Sequence, residues 1–196
     1  MDLYWCDLRR AGVGDMEALH HEAGRLLLRK AWRGRFGAGP MPPLTAGPNG
    51  KPAFPPGVPV QFSITHSGHI AACAFGFQPV GLDAERVEGE HRELFSFFRP
   101  EEQEWLAEGD SLRFYRLFTV KESYVKLTGE GLSALPALPA VIGPGGEMLP
   151  RLGGAAIFPL TLWLPDCSGA LSMYRPEPVV PRAFDLRELI HINNKI

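Results

Sequence analysis

The sequence predicts an α+β fold, and three observations carry that prediction. A helical apolar rhythm runs from Asp15 to about Phe36. Three short strand-like runs lie between Val60 and Glu85. Helices and then a hairpin pattern follow, instead of regularly alternating strand and helix units. The length of 196 residues suits one domain or two small fused ones, at ~150 residues per domain.

Leu3 to Leu8 reads as an opening strand. In the following helix Met16, Leu19, Ala23, Leu26, Leu27 and Ala31 recur at three- and four-residue steps, with Asp15 as N-cap. Gly37 to Pro59 is crowded with glycine and proline, so it is neither helix nor central strand; a functional loop or linker is expected. Val60–Thr65 is the next strand, His66-Ser67-Gly68 a turn, Ile70–Phe77 a second strand, and Val80–Glu85 a third after the break at Pro79. Helices are expected over Glu90–Phe98, from Pro100 (a favoured first helical position), and over Ser111–Thr128, with Gly129 as its C-terminal cap. Gly131–Gly154 is a second loop region. Phe158–Leu164 and Ala170–Tyr174 read as a hairpin around PDCSG, and Phe184–Ile190 as a short terminal helix. The chain joins near Gln78–Gly81, giving an N-terminal half at 1–78 and a C-terminal half at 79–196.

Composition narrows the function. Twenty basic residues against 22 acidic give net charge −2, so no global field attracts duplex nucleic acid or an anionic membrane, and neither is expected as a partner. Cys6, Cys73 and Cys167 are scattered and odd in number, with no CxxC. This argues against a disulfide framework and for a reducing compartment, the cytoplasm. The N-terminus has an acid at position two and no long apolar run, so a signal peptide is not expected. Ile70–Phe77 is too short to span a bilayer.

Four segments carry chemistry. In VGLDAERV, Asp83 and Glu85 share one face of a strand, and two adjacent carboxylates call for a cation between them unless they are a solvated strand end. In LFTVKESYVKLTGEG, Glu122 and Lys126 share a helix face, an arrangement that also suits a plain surface ion pair, while Lys121 lies ~100° round the helix. In QFSITHSGH, Thr65-His66-Ser67 is a candidate anion or hydroxyl site. A satisfied turn histidine is the simpler reading there, and no GxSxG elbow supports a hydrolase. In GPNGKP, the Asn-Gly turn would present Lys51 at a loop tip, either as an ordinary exposed lysine or as a point charge for phosphate. There is no P-loop and no GxGxxG.

Taken in order, these segments resemble the 4′-phosphopantetheinyl transferases of the larger, surfactin-synthetase-activating type. That family carries a G-K-P loop, F-N-I-S-H-S, G-[IV]-D-x-E, and [FW]-[ST]-x-K-E-[AS]-x-x-K followed by G-x-G-[LM]. This chain has Gly50-Lys51-Pro52, Phe62–Ser67, Gly81–Glu85, Phe118–Lys126 and Gly129–Leu132. The resemblance runs from about residue 25 to 133. It implies transfer of the phosphopantetheine arm of coenzyme A to a serine of an acyl or peptidyl carrier protein, release of 3′,5′-ADP, and a need for Mg2+. It also implies two similar halves forming a pseudo-dimer within one chain, hence a monomer, with coenzyme A in the cleft between them.

By resemblance, Asp83, Glu85 and Glu122 match the metal carboxylates, and Lys51, Thr65 and His66 match residues holding the adenosine phosphates. Lys126 matches the lysine beside the pyrophosphate, and Arg25 an arginine at the 3′-phosphate end. Glu122 is the base candidate, directly or through water, and Lys126 the group that stabilises the leaving oxygen. Ser63 and Thr65 depart from the usual Asn and Ser. The family's basic residues upstream of Arg25 have no clear match, with His20, His21, Arg29 and Lys30 nearby. Arg113 and Arg116 are candidates for a carrier-binding patch. Two other readings share these residues: a non-catalytic coenzyme A or carrier-binding module, and a metal-dependent phosphohydrolase.

Overall fold

The computed structural model describes residues 1–11, 16–89, 91–160 and 166–193. Its strands are β1 (Asp2–Asp7), β2 (Thr45–Ala46), β3 (Pro52–Ala53), β4 (Gln61–Ser67), β5 (Ile70–Gly76), β6 (Val80–Arg86), β7 (Arg151–Leu152), β8 (Ala155–Leu160), β9 (Cys167–Met173) and β10 (Val180–Phe184). Its helices are α1 (Met16–Phe36), α2 (Pro100–Ala107), α3 (Ser111–Thr128) and α4 (Leu186–Asn193). The fold is mixed α+β. The Asp15 cap and the Glu90 helix start lie outside the described residues.

Two four-stranded sheets organise the molecule, in the orders β10-β1-β5-β4 and β6-β9-β8-β7. The first is covered on both faces, which explains why β5 is buried along its whole length. Ala71, Cys73 and Phe75 face α1 residues such as Ala23, Leu27 and Leu28, whereas Ala72 and Ala74 face a core shared with Leu82, Leu171 and Met173 of the second sheet. Helix α3 packs on β6 and β9. Small residues permit this close approach: the Ser123 and Ser172 hydroxyls meet at 2.7 Å, and Thr119 lies 3.4 Å from Ser168.

The sheets meet where edge β4 faces edge β6. No backbone ladder joins them among the described residues. Instead the Ser63, Thr65 and Ser67 hydroxyls accept the backbone N–H groups of Leu82, Ala84 and Arg86 at 3.0, 3.2 and 3.2 Å. Period-2 alternation places all three hydroxyls on the β6 side, so side chains satisfy N–H groups that would otherwise be orphaned at a sheet edge.

Four boundaries differ from the sequence reading. Strand β4 continues through His66 and Ser67, and the turn is Gly68-His69, because Ser67 pairs with Ile70 and Gly68 supplies the positive φ of 54°. The expected helix before Pro100 is a 3-10 segment, Arg92–Phe97; Arg99 must be extended before proline (ψ 154°), which stops the segment at Phe98. The C-terminal hairpin pairs as expected, but β8 begins at Ala155, immediately after a Gly153-Gly154 turn with both φ values positive. Correspondingly, β9 begins at Cys167. Strand β10 escapes sequence reading: it is an exposed edge containing Pro181, added parallel to β1, so it lacks strand-like alternation. Gly129 caps α3 at φ 79°, as expected.

Candidate active site

Alternation along β6 turns Gly81, Asp83 and Glu85 toward α3. Gly81 permits the approach: a Cβ there would lie 1.8 Å from the Ser123 carbonyl oxygen and 2.5 Å from the Leu127 nitrogen. With the helix seated so closely, one carboxylate oxygen from each of Asp83, Glu85 and Glu122 falls within 4.8 Å of the others. Lys126, one turn after Glu122, closes the group. Its ammonium lies 2.7 Å from Asp83 Oδ1 and 3.3 Å from Glu122 Oε1. Lys121 points to the opposite side, where it pairs with Glu102 in the interior.

The electrostatics follow from burial. Glu85 and Glu122 are each pushed up to about 7, first by burial and then by the neighbouring Asp83 charge. Burial opposes the Lys126 charge, but Asp83 and Glu122 outweigh it and hold the ammonium above its ordinary range. Asp83 has no exposure, and its Oδ2 has no hydrogen-bond partner among the described residues. A buried, orphaned carboxylate oxygen beside two reluctant glutamates fits a divalent cation of the hard, oxygen-binding class.

Thr65 belongs to this cluster. Its buried hydroxyl donates to Asp83 Oδ1 at 3.0 Å while accepting from Ala84 N–H. Lys51 is not an exposed loop tip. Its ammonium donates to the carbonyls of Val80 and Lys126, one of the last carbonyls of α3, and Asn49 donates to the Gly129 carbonyl at 2.7 Å. The NGK loop therefore docks on the C-terminal end of α3. Burial, then the Lys126 charge, depresses Lys51 to about 8. Lys51, Ser63, Glu122 and Lys126 line one cleft of ≈ 520 Å³ together with Gly129, Gly131 and Leu132.

His66 sits beside this cleft against α1. His20 stacks on it (5.2 Å between centroids) and His21 meets it edge-on (4.9 Å). Burial, the two histidines and Lys126 all lower its pKa. Arg25 lies elsewhere: it lines a separate pocket of ≈ 580 Å³ with Arg29, Trp32, Arg33 and the 38–44 loop. The three arginines are four residues apart and share a helix face. His20, His21 and Arg29 were named from sequence as nearby basic residues, but the packing of both histidines on His66 and the contribution of Arg33 were missed, although the R-x-x-x-R-x-x-x-R spacing was an available signal. Lys30 turns away, over the Phe184 ring. Arg113 is engaged with Trp105, by ring contact and by a 2.9 Å hydrogen bond to its carbonyl, whereas Arg116 is exposed.

Residues 79–142 match the 4′-phosphopantetheinyl transferase superfamily. The chain is 37% identical over 89 residues to the 4′-phosphopantetheinyl transferase Sfp of Bacillus subtilis, covering 43% of this chain and 40% of that protein. It is 35% identical over 123 residues to the 4′-phosphopantetheinyl transferase AcpT of Salmonella typhimurium, covering 55% and 57%. HetI of Nostoc, another 4′-phosphopantetheinyl transferase, is 33% identical over 91 residues, covering 42% and 38%. The chain thus spans about half the length of the curated relatives it matches. The superfamily match contains Asp83, Glu85, Glu122 and Lys126, the side chains that converge between β6 and α3, and over that stretch the chain is similar to the 4′-phosphopantetheinyl transferases.

Proposed function

We propose that this chain is a phosphopantetheinyl transferase that moves the 4′-phosphopantetheine arm of coenzyme A to a serine of an acyl or peptidyl carrier protein and releases 3′,5′-ADP. The observation that carries the reading is the convergence of buried Asp83 with half-buried Glu85 and Glu122, where Lys126 pairs with Asp83 and Glu122 and reaches, with Glu122, the wall of an open cleft. Asp83, Glu85 and Glu122 would hold Mg2+, which when bound supplies charge neutralisation at the pyrophosphate.

The rest is work for the chain's own side chains. The serine oxygen attacks the phosphorus bearing the pantetheine, a new O–P bond forms, and the bond to the bridging oxygen of 3′,5′-ADP breaks. Glu122 is the group placed to accept the serine proton, directly or through water. Lys126, held cationic by its acidic neighbours, faces the charge that develops on the leaving oxygen. Lys51 and His66 bind the adenosine phosphates. Thr65, its hydroxyl buried on Asp83, positions that carboxylate, and His20 and His21 extend the wall where His66 stands. Arg25 serves the 3′-phosphate end from its separate pocket on α1. The two halves, 1–78 and 79–196, act as a pseudo-dimer in a monomeric cytoplasmic enzyme; the β4–β6 seam joins the two sheets, while β10 and α4 of the second half cross back to pack on the first sheet.

Incubation with coenzyme A, Mg2+ and an apo carrier protein tests this. The carrier's mass should rise by one phosphopantetheine, with stoichiometric 3′,5′-ADP. Binding of coenzyme A without product, or its cleavage in the absence of carrier, would refute the transferase reading.

A further inference from the structure

A second group of metal-ligating side chains converges away from the carboxylate trio. His69 is the second residue of the β4–β5 turn, Cys167 opens β9, and Asp166 immediately precedes it. Backbone bonds fix both segments: Leu8 N–H donates to the His69 carbonyl at 2.8 Å and Val87 N–H to that of Asp166 at 2.7 Å. His69 Nε2 lies 3.4 Å from Asp166 Oδ1 and 3.8 Å from Cys167 Sγ, and that sulfur lies 3.9 Å from the same Asp166 oxygen.

The geometry selects among the chemistries open to such a trio. A nucleophilic Cys-His-Asp relay needs the acid on the imidazole nitrogen opposite the thiol. Here acid and thiol share Nε2. An ion seated tetrahedrally over a triangle with these three sides lies about 2.3 Å from each corner, against ligand distances of ~2.0–2.1 Å for zinc–nitrogen and ~2.3 Å for zinc–sulfur. The other Asp166 oxygen is 3.6 Å from Arg9, whose guanidinium is itself clamped on Asp7, and this turns Oδ1 toward His69. His69 and Cys167 are buried, while the Asp166 side chain keeps 38% exposure, leaving one side open for water. An imidazole, a thiolate and one carboxylate form a borderline-soft donor set, which favours zinc over magnesium.

We infer that His69, Asp166 and Cys167 form a second metal site, for a zinc-class divalent ion with water completing a tetrahedron. The ion would tie the β4–β5 turn to the start of β9, bridging the two sheets beside the seam. Binding forms the metal–sulfur bond and releases the thiol proton to solvent. The inference is independent of the transferase reading.

Cobalt(II) added to the metal-stripped full chain is the probe. The wild-type protein should develop a sulfur-to-cobalt charge-transfer band and the visible bands of tetrahedral cobalt, both displaced by Zn2+. The band should persist in Asp83→Asn, where the acidic trio is impaired. It should vanish in Cys167→Ser and in His69→Ala, whose folding is checked by circular dichroism. Cys6 and Cys73 are fully buried in the first sheet, so a thiolate band reports Cys167. At a free Zn2+ concentration 100 times the dissociation constant, Tm should rise by about 5–10 °C in wild type and not in Cys167→Ser. A folded wild-type protein without the sulfur band at saturating cobalt, or a band that survives His69→Ala, overturns the inference.

Discussion

Lys121→Met removes one half of an ion pair that has no access to water. Lys121 Nζ lies 2.6 Å from Glu102 Oε2, and both side chains have 0% exposure. Methionine roughly preserves the aliphatic stem, so little packing is lost. What remains is a buried carboxylate that still accepts the N–H groups of Val141 at 2.8 Å and Arg99 at 3.0 Å but has lost its cation. Breaking a buried pair from one side costs about 3–5 kcal/mol, because the surviving charge is uncompensated. The two retained backbone bonds place this case near the lower end, about 3 kcal/mol. The deficit is the cost of leaving an uncompensated charge in the interior. The deficit should therefore be small in acid and grow as pH rises above the ordinary glutamate range. Urea denaturation of wild type, Lys121→Met and Lys121→Met/Glu102→Gln at pH 5 and pH 8 reads all of this. The single variant should lose about 3 kcal/mol at pH 8, and the double variant should recover most of it. A loss below about 1 kcal/mol at pH 8, or a double variant no more stable than the single one, would refute the reasoning.

Four further outcomes follow from the site. Gly81→Ala should destabilise the fold by about 3 kcal/mol or more in denaturant titration, because the new methyl meets the backbone of α3 and neither element can yield cheaply. Metal-free protein should lose stability as pH rises from 4.5 to about 7, since the folded state holds protons on Glu85 and Glu122 that the unfolded chain releases. Mg2+ should raise Tm at pH 8 and have no effect at pH 4.5. Lys126→Ala should lower turnover of carrier protein by about 10²-fold or more while coenzyme A binding changes far less; a pure binding defect would make Lys126 a phosphate anchor instead.

Much of this was legible in the residues because it is local. Alternation on one strand decides that Asp83 and Glu85 share a face, and helical spacing decides that Glu122 and Lys126 do so while Lys121 does not. Gly129 after an apolar helix, and Pro100 at the start of another, fixed two helix ends through backbone conformation alone. Contacts between distant segments were invisible in a linear reading. Nothing near Lys51 announces that its ammonium would be folded onto the end of α3. Nothing in Ser63, Thr65 or Ser67 announces a row of hydroxyls replacing a backbone ladder between two sheets. The glycine of the GLDAE segment could be read as a motif letter, but its reason is the backbone of α3 where a side chain would be. Cys167, unremarkable among three scattered cysteines, meets His69 only because a turn of one sheet and the first residue of a strand in the other are brought together. Local periodicity determines which side chains can face the same way. Which partners they then meet depends on how the two sheets close, and that is settled by burial and backbone pairing summed over the whole chain.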